Sequence, residues 1–170
     1  MTTATDSATT DKSVTTQVYR VYIKATPQAV WDAITKPEFA AKYGYGGRME
    51  LDLKPGGAYK GYASDLMKSY GAPDLVVVGD VIESNPPNRL VLTWHPIWDP
   101  QTSAEPATRL TYEIEEEMGL VRLTLTHDVT GAPYIAKQVS GEIPNAGGGW
   151  PFVLSDIKSL LETGKAMVAA

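Results

Sequence analysis

Gly147-Gly148-Gly149-Trp150-Pro151-Phe152-Val153-Leu154-Ser155-Asp156-Ile157-Lys158-Ser159-Leu160-Leu161 is the stretch whose reading decides the fold. Trp150, Val153, Leu154, Ile157, Leu160 and Leu161 recur at spacings of three, one, three, three and one, the period of an amphipathic helix. Ser155, Asp156, Lys158, Ser159 and Glu162 fall on the other face. Pro151 suits the first turn, where its missing N–H costs nothing. Gly164 suits the C-terminal cap. A helix with one apolar face needs an apolar surface to cover it, and the chain upstream reads as a sheet.

Working outward from that helix, alternation of period two dominates. Tyr19, Val21 and Ile23 alternate with Arg20, Tyr22 and Lys24, a half-buried strand. Thr26 and Pro27 suit the cap and first position of a short helix that buries Val30, Trp31 and Ile34. Pro37 opens a second short helix, with Phe39 turned inward, and Tyr43-Gly44-Tyr45-Gly46-Gly47 forms a link. Six further strands follow: about Met49–Leu53, Ala58–Ser64, Leu75–Glu83, Arg89–His95, Thr108–Glu116 and Leu120–Asp128. Turns at Pro55-Gly56-Gly57, Pro86-Pro87-Asn88 and Met118-Gly119 join three pairs of them. Residues 65–73 and 96–106 read as long loops, and 130–146 as irregular. Strands in a run with helices segregated from them indicate α+β, an antiparallel sheet with helices on one face.

Residues 1–13 are Thr-rich with almost nothing apolar, and they read as a disordered tail ahead of a single domain over 14–170. The net charge of −5 gives no basic surface for nucleic acid. The absence of cysteine excludes disulfides, thiolate metal sites and cysteine nucleophiles. No apolar run reaches the length of a membrane span, and the N-terminus lacks a signal-peptide pattern, so a cytoplasmic location is expected. The glycines at 44–47 and 147–149 fit neither a dinucleotide fingerprint nor a phosphate loop, and they read as hinges at a cavity mouth. No cofactor or metal is expected.

Four motifs, in order, resemble a known family. They are Ala25-Thr26-Pro27-Gln28-Ala29-Val30-Trp31-Asp32-Ala33-Ile34, Leu53-Lys54-Pro55-Gly56-Gly57-Ala58-Tyr59, the run from Gly79 through Pro86-Pro87-Asn88-Arg89 to Trp94, and Gly149-Trp150 with Leu154 and Leu160. Together they resemble the START/Bet v-like superfamily (SRPBCC), in the branch named for the activator of the heat-shock protein 90 ATPase (AHSA1-type), over roughly residues 16–163. Tyr43 stands where relatives usually carry tryptophan. The resemblance implies a helix-grip fold: a curved antiparallel seven-stranded sheet around a long C-terminal helix, plus two short helices, with a cavity between sheet and helix. It also implies a small apolar, lipid-like or aromatic ligand. A minority of the superfamily are enzymes such as polyketide cyclases. A co-chaperone role and a homodimer are further options.

Strand parity nominates the wall of such a cavity. Leu110, Tyr112 and Ile114 share a face, as do Val121, Leu123, Leu125 and His127, and as do Leu90, Leu92 and Trp94. The expected ligand-binding set is therefore Trp31, Tyr59, Leu92, Trp94, Leu110, Tyr112, Leu123, Leu125, His127, Trp150 and Leu154, and the same residues also suit a packed core. His95 and His127 are the only histidines. Neither has a local orienting partner, so both read as structural or surface histidines rather than catalytic ones. An inward carboxylate beside His127 would indicate an enzyme; a lining of apolar and tyrosine groups alone would indicate a binder.

Overall fold

A computed structural model describes residues 15–144 and 147–168. The tail expected over residues 1–13 lies outside the described residues. Seven strands form one antiparallel sheet: β1 (Thr16–Ile23), β2 (Met49–Leu51), β3 (Ala58–Tyr62), β4 (Leu75–Asn85), β5 (Arg89–Pro96), β6 (Thr108–Glu117) and β7 (Leu120–Asp128). Their order across the sheet is β1-β7-β6-β5-β4-β3-β2. Six helices accompany them: α1 (Pro27–Thr35), α2 (Pro37–Ala40), α3 (Asp65–Ser69), α4 (Pro100–Ala104), α5 (Pro133–Ser140) and α6 (Gly149–Thr163).

The sheet is curved for identifiable reasons. Register shifts between Gly61 and Tyr62 and between Val81 and Glu83 bend the central strands. At Gly79 a Cβ would collide with the Thr93 carbonyl oxygen, and the neighbouring Asp80 N–H bonds to Thr93 Oγ1 at 2.8 Å. Only glycine tolerates so close an approach of two strands. Ile23, Leu90, Leu92, Leu110, Ile114, Leu123 and Leu125 are buried as alternation requires. Along β1, Tyr19 and Val21 are half-buried while Thr16, Val18, Arg20 and Tyr22 are exposed.

Three expectations need correction. The two long loops each hold a short helix, α3 and α4, capped by Ser64 and by a Asp99–Thr102 capping box. The segment read as irregular contains α5, two turns that bury Ile135, Ala136 and Val139 and stop at Gly141 in the left-handed region, φ 79°. Its first turn is capped from a distance: both Glu105 carboxylate oxygens accept backbone N–H bonds, from Tyr134 and Ile135, each at 2.8 Å. Finally, Asp156 is not on a solvated face. It is 1% exposed, and it accepts from the Gly44 N–H at 2.7 Å and the Met167 N–H at 2.6 Å.

The helices divide the concave face unequally. α1 rests on β6 and β7, and α6 packs on β1, with α5 and α1 alongside it. The C-terminal half of α6 is tied to the β1 end, where Lys158 Nζ donates to the Tyr22 carbonyl at 2.6 Å and Glu162 accepts from the Lys24 N–H at 2.8 Å. That half of the sheet is filled. Toward the half formed by β2 to β5, α6 presents Trp150, Val153, Leu154 and Ile157, while α2 meets β2 and α4 meets β5. No helix among the described residues is long and apolar enough to cross a membrane.

Candidate functional site

Between α6 and the β2–β5 half lies a cavity of about 800 Å³. The floor is built by inward positions of the central strands: Tyr59 of β3, Val77 of β4, Leu90, Leu92 and Trp94 of β5, and Tyr112 of β6. α6 supplies the roof with Trp150, Val153, Leu154 and Ile157, the same stripe that its periodicity exposes on one side. The 43–49 segment, α3 and Trp98 make the rim.

Of the residues expected in the wall, Tyr59, Leu92, Trp94, Tyr112, Trp150 and Leu154 border this cavity. Trp31, Leu110, Leu123, Leu125 and His127 do not; they lie in the packed core of the filled half. Parity places the strand residues of both groups on the concave face, but α1 packs over β6 and β7, Trp31 belongs to α1 itself, and His127 is met by Trp150. Residues of the rim escaped the sequence reading. Tyr45, Arg48, Tyr62 and Trp98 sit in loops or at strand ends, where no period marks them. Tyr43 is the exception, because its departure from the family's tryptophan was visible.

His127 is fully buried, and both its nitrogens are committed. Trp150 Nε1 donates to Nδ1 at 3.1 Å. The indole is a donor only, so Nδ1 carries no proton and Nε2 does. Nε2 then donates to Thr108 Oγ1 at 2.7 Å, and the Thr108 hydroxyl donates to the Trp94 carbonyl at 2.7 Å. The result is a directional chain from the start of α6 through β7 and β6 to β5. Burial pushes the imidazole pKa down to about 3, with Asp128 opposing weakly. The ring is therefore neutral at physiological pH. Trp94 packs against both, its ring 5.3 Å from His127 and 5.6 Å from Trp150. Among the described residues no carboxylate is hydrogen-bonded to the imidazole.

Three tyrosines share the cavity. Burial pushes the phenols of Tyr43, Tyr59 and Tyr112 up; Tyr59 adds to the rise at the other two and Tyr43 to that at Tyr112, while Trp94 opposes the rise at Tyr59. Tyr43 donates to the Ala33 carbonyl at 2.9 Å, which closes the end of α1. The mouth is tied to α6 by Tyr45, whose hydroxyl accepts from the Gly149 N–H at 3.2 Å. Gly149 has φ 61°, and a Cβ there would collide with the Val139 carbonyl oxygen. The glycine that opens α6 is thus required by a close backbone approach to α5 as well as by its left-handed conformation. Among the described residues no cluster of three or more histidine, aspartate or glutamate side chains could hold a metal.

A seven-stranded sheet gripping a C-terminal helix, with this cavity between them, is matched by sequence as well. The family model described as activator of Hsp90 ATPase homolog 1-like protein covers residues 24–162. The chain belongs to this family. Its helix-grip fold recurs in solved structures of low identity. CalU16 from Micromonospora echinospora superposes with TM-score 0.58 at 21% identity, over 82% of this chain and 71% of CalU16. The Aha1 dimer from Colwellia psychrerythraea gives TM-score 0.66 at 15% identity, over 89% of this chain and 98% of Aha1. DynU16, from the dynemicin biosynthetic locus, gives 0.64 at 19% identity over 89% of this chain, which spans only 49% of DynU16. No curated protein matches the chain by sequence. At these identities the structural likeness establishes the fold, and function must be argued from the family member's own cavity.

Proposed function

We propose that this protein binds one small apolar or aromatic molecule in the cavity between α6 and the β2–β5 half of the sheet. The observation that carries the reading is a hollow of about 800 Å³ lined mainly by apolar and tyrosine side chains, within the usual range for ligand pockets, about 300–1,000 Å³. An enzyme using the same space would need an inward acid or base. His127 meets α6 through Trp150, and its two nitrogens are occupied by Trp150 and Thr108. Asp99, the one carboxylate on the lining among the described residues, caps α4 through the Thr102 N–H at 2.7 Å. These arrangements favour binding over cyclase-type catalysis. A cytoplasmic location fits the same reading.

Native mass spectrometry of freshly purified protein tests it, together with tryptophan-fluorescence titration against lipids, sterols and aromatic metabolites. Gly61→Leu is the matched control. A Cβ at Gly61 sits 3.4 Å from Val77 Cβ and 3.7 Å from the Tyr59 hydroxyl, without collision, and the rest of the side chain enters the hollow. Saturable one-to-one binding that Gly61→Leu weakens at least about tenfold, a loss of about 1.4 kcal/mol, is expected. No co-purified mass and no saturable change across the panel would sink the reading.

A further inference from the structure

β1 is one edge of the sheet, and its outer side is open over part of its length. In an antiparallel pair, alternate residues turn their backbone groups toward the neighbouring strand and the others turn them away. The Val129 N–H donates to the Thr15 carbonyl at 2.8 Å across the β1–β7 ladder, so Thr15, Gln17, Tyr19, Val21 and Ile23 face β7. Thr16, Val18, Arg20, Tyr22 and Lys24 face outward. α6 covers the far end of that row, where Lys158 donates to the Tyr22 carbonyl and Glu162 accepts from the Lys24 N–H. Among the described residues the backbone N–H and C=O groups of Thr16, Val18 and Arg20 have no partner.

The two edges of the sheet are built differently. β2, the opposite edge, is three residues long, and it carries Glu50 between the flanking charges Arg48, Asp52 and Lys54. Short length and charge are the means by which an edge rejects another strand. β1 is eight residues long, with Val18 exposed near its middle. Its one charge is Arg20. Among the described residues Arg20 takes no part in the ion pairs of the outer face, Arg89 with Glu83 and Glu113, and Arg122 with Glu115 and Glu117.

The open stretch is complementary to itself. A second copy turned about a two-fold axis at Val18 sets Val18 opposite the partner's Val18, and Thr16 opposite the partner's Arg20 on either side. Each of these pairs exchanges two backbone hydrogen bonds. Moving the register by two residues in one direction sets Thr16 against the Tyr22 carbonyl that Lys158 already holds. Moving it in the other direction pairs only Thr16 with Val18 within the open stretch. The charges agree with the central register. Thr16 lies opposite Asp128 of β7, so the partner's Arg20, Thr16 and Asp128 form one row on the outer face. With strands about 4.8 Å apart, the partner's Arg20 stands about 10 Å from Asp128 across a small threonine, which an extended arginine can span. The two-fold axis makes the same pair twice.

We propose that two copies of this chain associate through the Thr16–Arg20 edge of β1, antiparallel about Val18, so that one sheet runs through both. Sedimentation velocity and hydrogen exchange of the full chain over a concentration series test it. A dimer should grow in with concentration, and exchange at the Thr16, Val18 and Arg20 amides should slow in step with it. Val18→Lys puts like charges face to face at the axis and should weaken the dimer at least about tenfold. Arg20→Glu, at an exposed position facing the partner's Asp128, should also weaken it at least about tenfold, which keeps the test usable if the first variant folds poorly. The chain has no cysteine, so Val18→Cys supplies a single thiol, about 5.5 Å between Cα atoms from its copy, within disulfide range. Mild oxidation should link Val18→Cys into a covalent dimer and leave Ile82→Cys, a similarly exposed position on β4, unlinked. A chain that stays monomeric at every concentration overturns the proposal, and so does a dimer that survives both charge variants. Protection of the three amides that does not depend on concentration also overturns it, and assigns the edge to another segment of the same chain.

Discussion

His127 makes the protein's stability depend on pH in a way that can be worked out in advance. Its folded-state pKa of about 3 lies below the ordinary value of 6.5. The unfolded chain therefore takes up the proton more readily than the folded one. The contribution is complete above about pH 6.5 and is lost as the pH falls toward 3. Each pH unit inside that window is worth up to about 1.4 kcal/mol. Between pH 8 and pH 5 the loss from this one group is about 2 kcal/mol. Comparison with a variant lacking the imidazole isolates it, and hydrogen bonds hold the carboxylates of Asp32, Asp74, Asp128 and Glu162 below their ordinary range. The assay is urea unfolding of wild type and His127→Gln at both pH values. Glutamine removes the titration and breaks the chain from Trp150 to Thr108, so the variant should start lower, by about 1–3 kcal/mol at pH 8. Its further loss on going to pH 5 should be about 2 kcal/mol smaller than that of the wild type. If the two proteins lose stability in parallel, the imidazole is not held neutral, and the tautomer assigned from the indole donor is wrong.

Leu154→Ala should cost about 2–3 kcal/mol in urea unfolding, the low end for a buried leucine, because its side chain already borders a hollow; a cost near zero would mean that α6 does not rest on this residue. Asp156→Ala leaves the Gly44 and Met167 N–H groups without their acceptor. It should destabilise by at least about 2 kcal/mol and speed hydrogen exchange at those two amides; unchanged exchange there would contradict the clamp. Deleting residues 1–12 should leave the melting temperature within a few degrees, since their composition offers little to bury, and a large drop would show that they pack.

The sheet was legible because period-two alternation reports directly which side of a strand is inward. It placed Leu90, Leu92 and Trp94, and likewise Val121 through His127, on the concave face without any tertiary information. Alternation cannot say which part of that face is left uncovered. That depends on where α1 and α6 come to rest, and so Leu123 and Tyr112, equivalent by parity, ended on opposite sides of the boundary between core and cavity. α5 escaped because eight residues give barely two turns of pattern, and its cap, Glu105, comes from a distant loop. Asp156 escaped for a different reason. A charge on an amphipathic helix reads as its wet face, and only the arrival of Gly44 and Met167 makes that face dry.

The polar contacts around α6 follow from the hollow beneath it. A helix over a packed core is held mainly by burial, and the C-terminal half of α6 has β1 for that. Its N-terminal half overhangs empty space, so Trp150, Val153 and Leu154 have fewer atoms to lie against. Directional contacts hold it there instead: the Trp150 indole on His127, the Tyr45 hydroxyl on the Gly149 N–H, and Asp156 on the 43–47 segment. Hydrogen bonds of this kind fix a position without filling a volume. They allow the roof to stay in place over an unoccupied cavity, and they break at a modest cost of about 0.5–1.5 kcal/mol each when it must lift. A ligand would supply the packing that the sheet does not, and its arrival should therefore protect the first two turns of α6 from hydrogen exchange more than the last two. Uniform protection along the helix would mean that the roof is held by its core contacts, and that the clamps at the mouth are incidental to it.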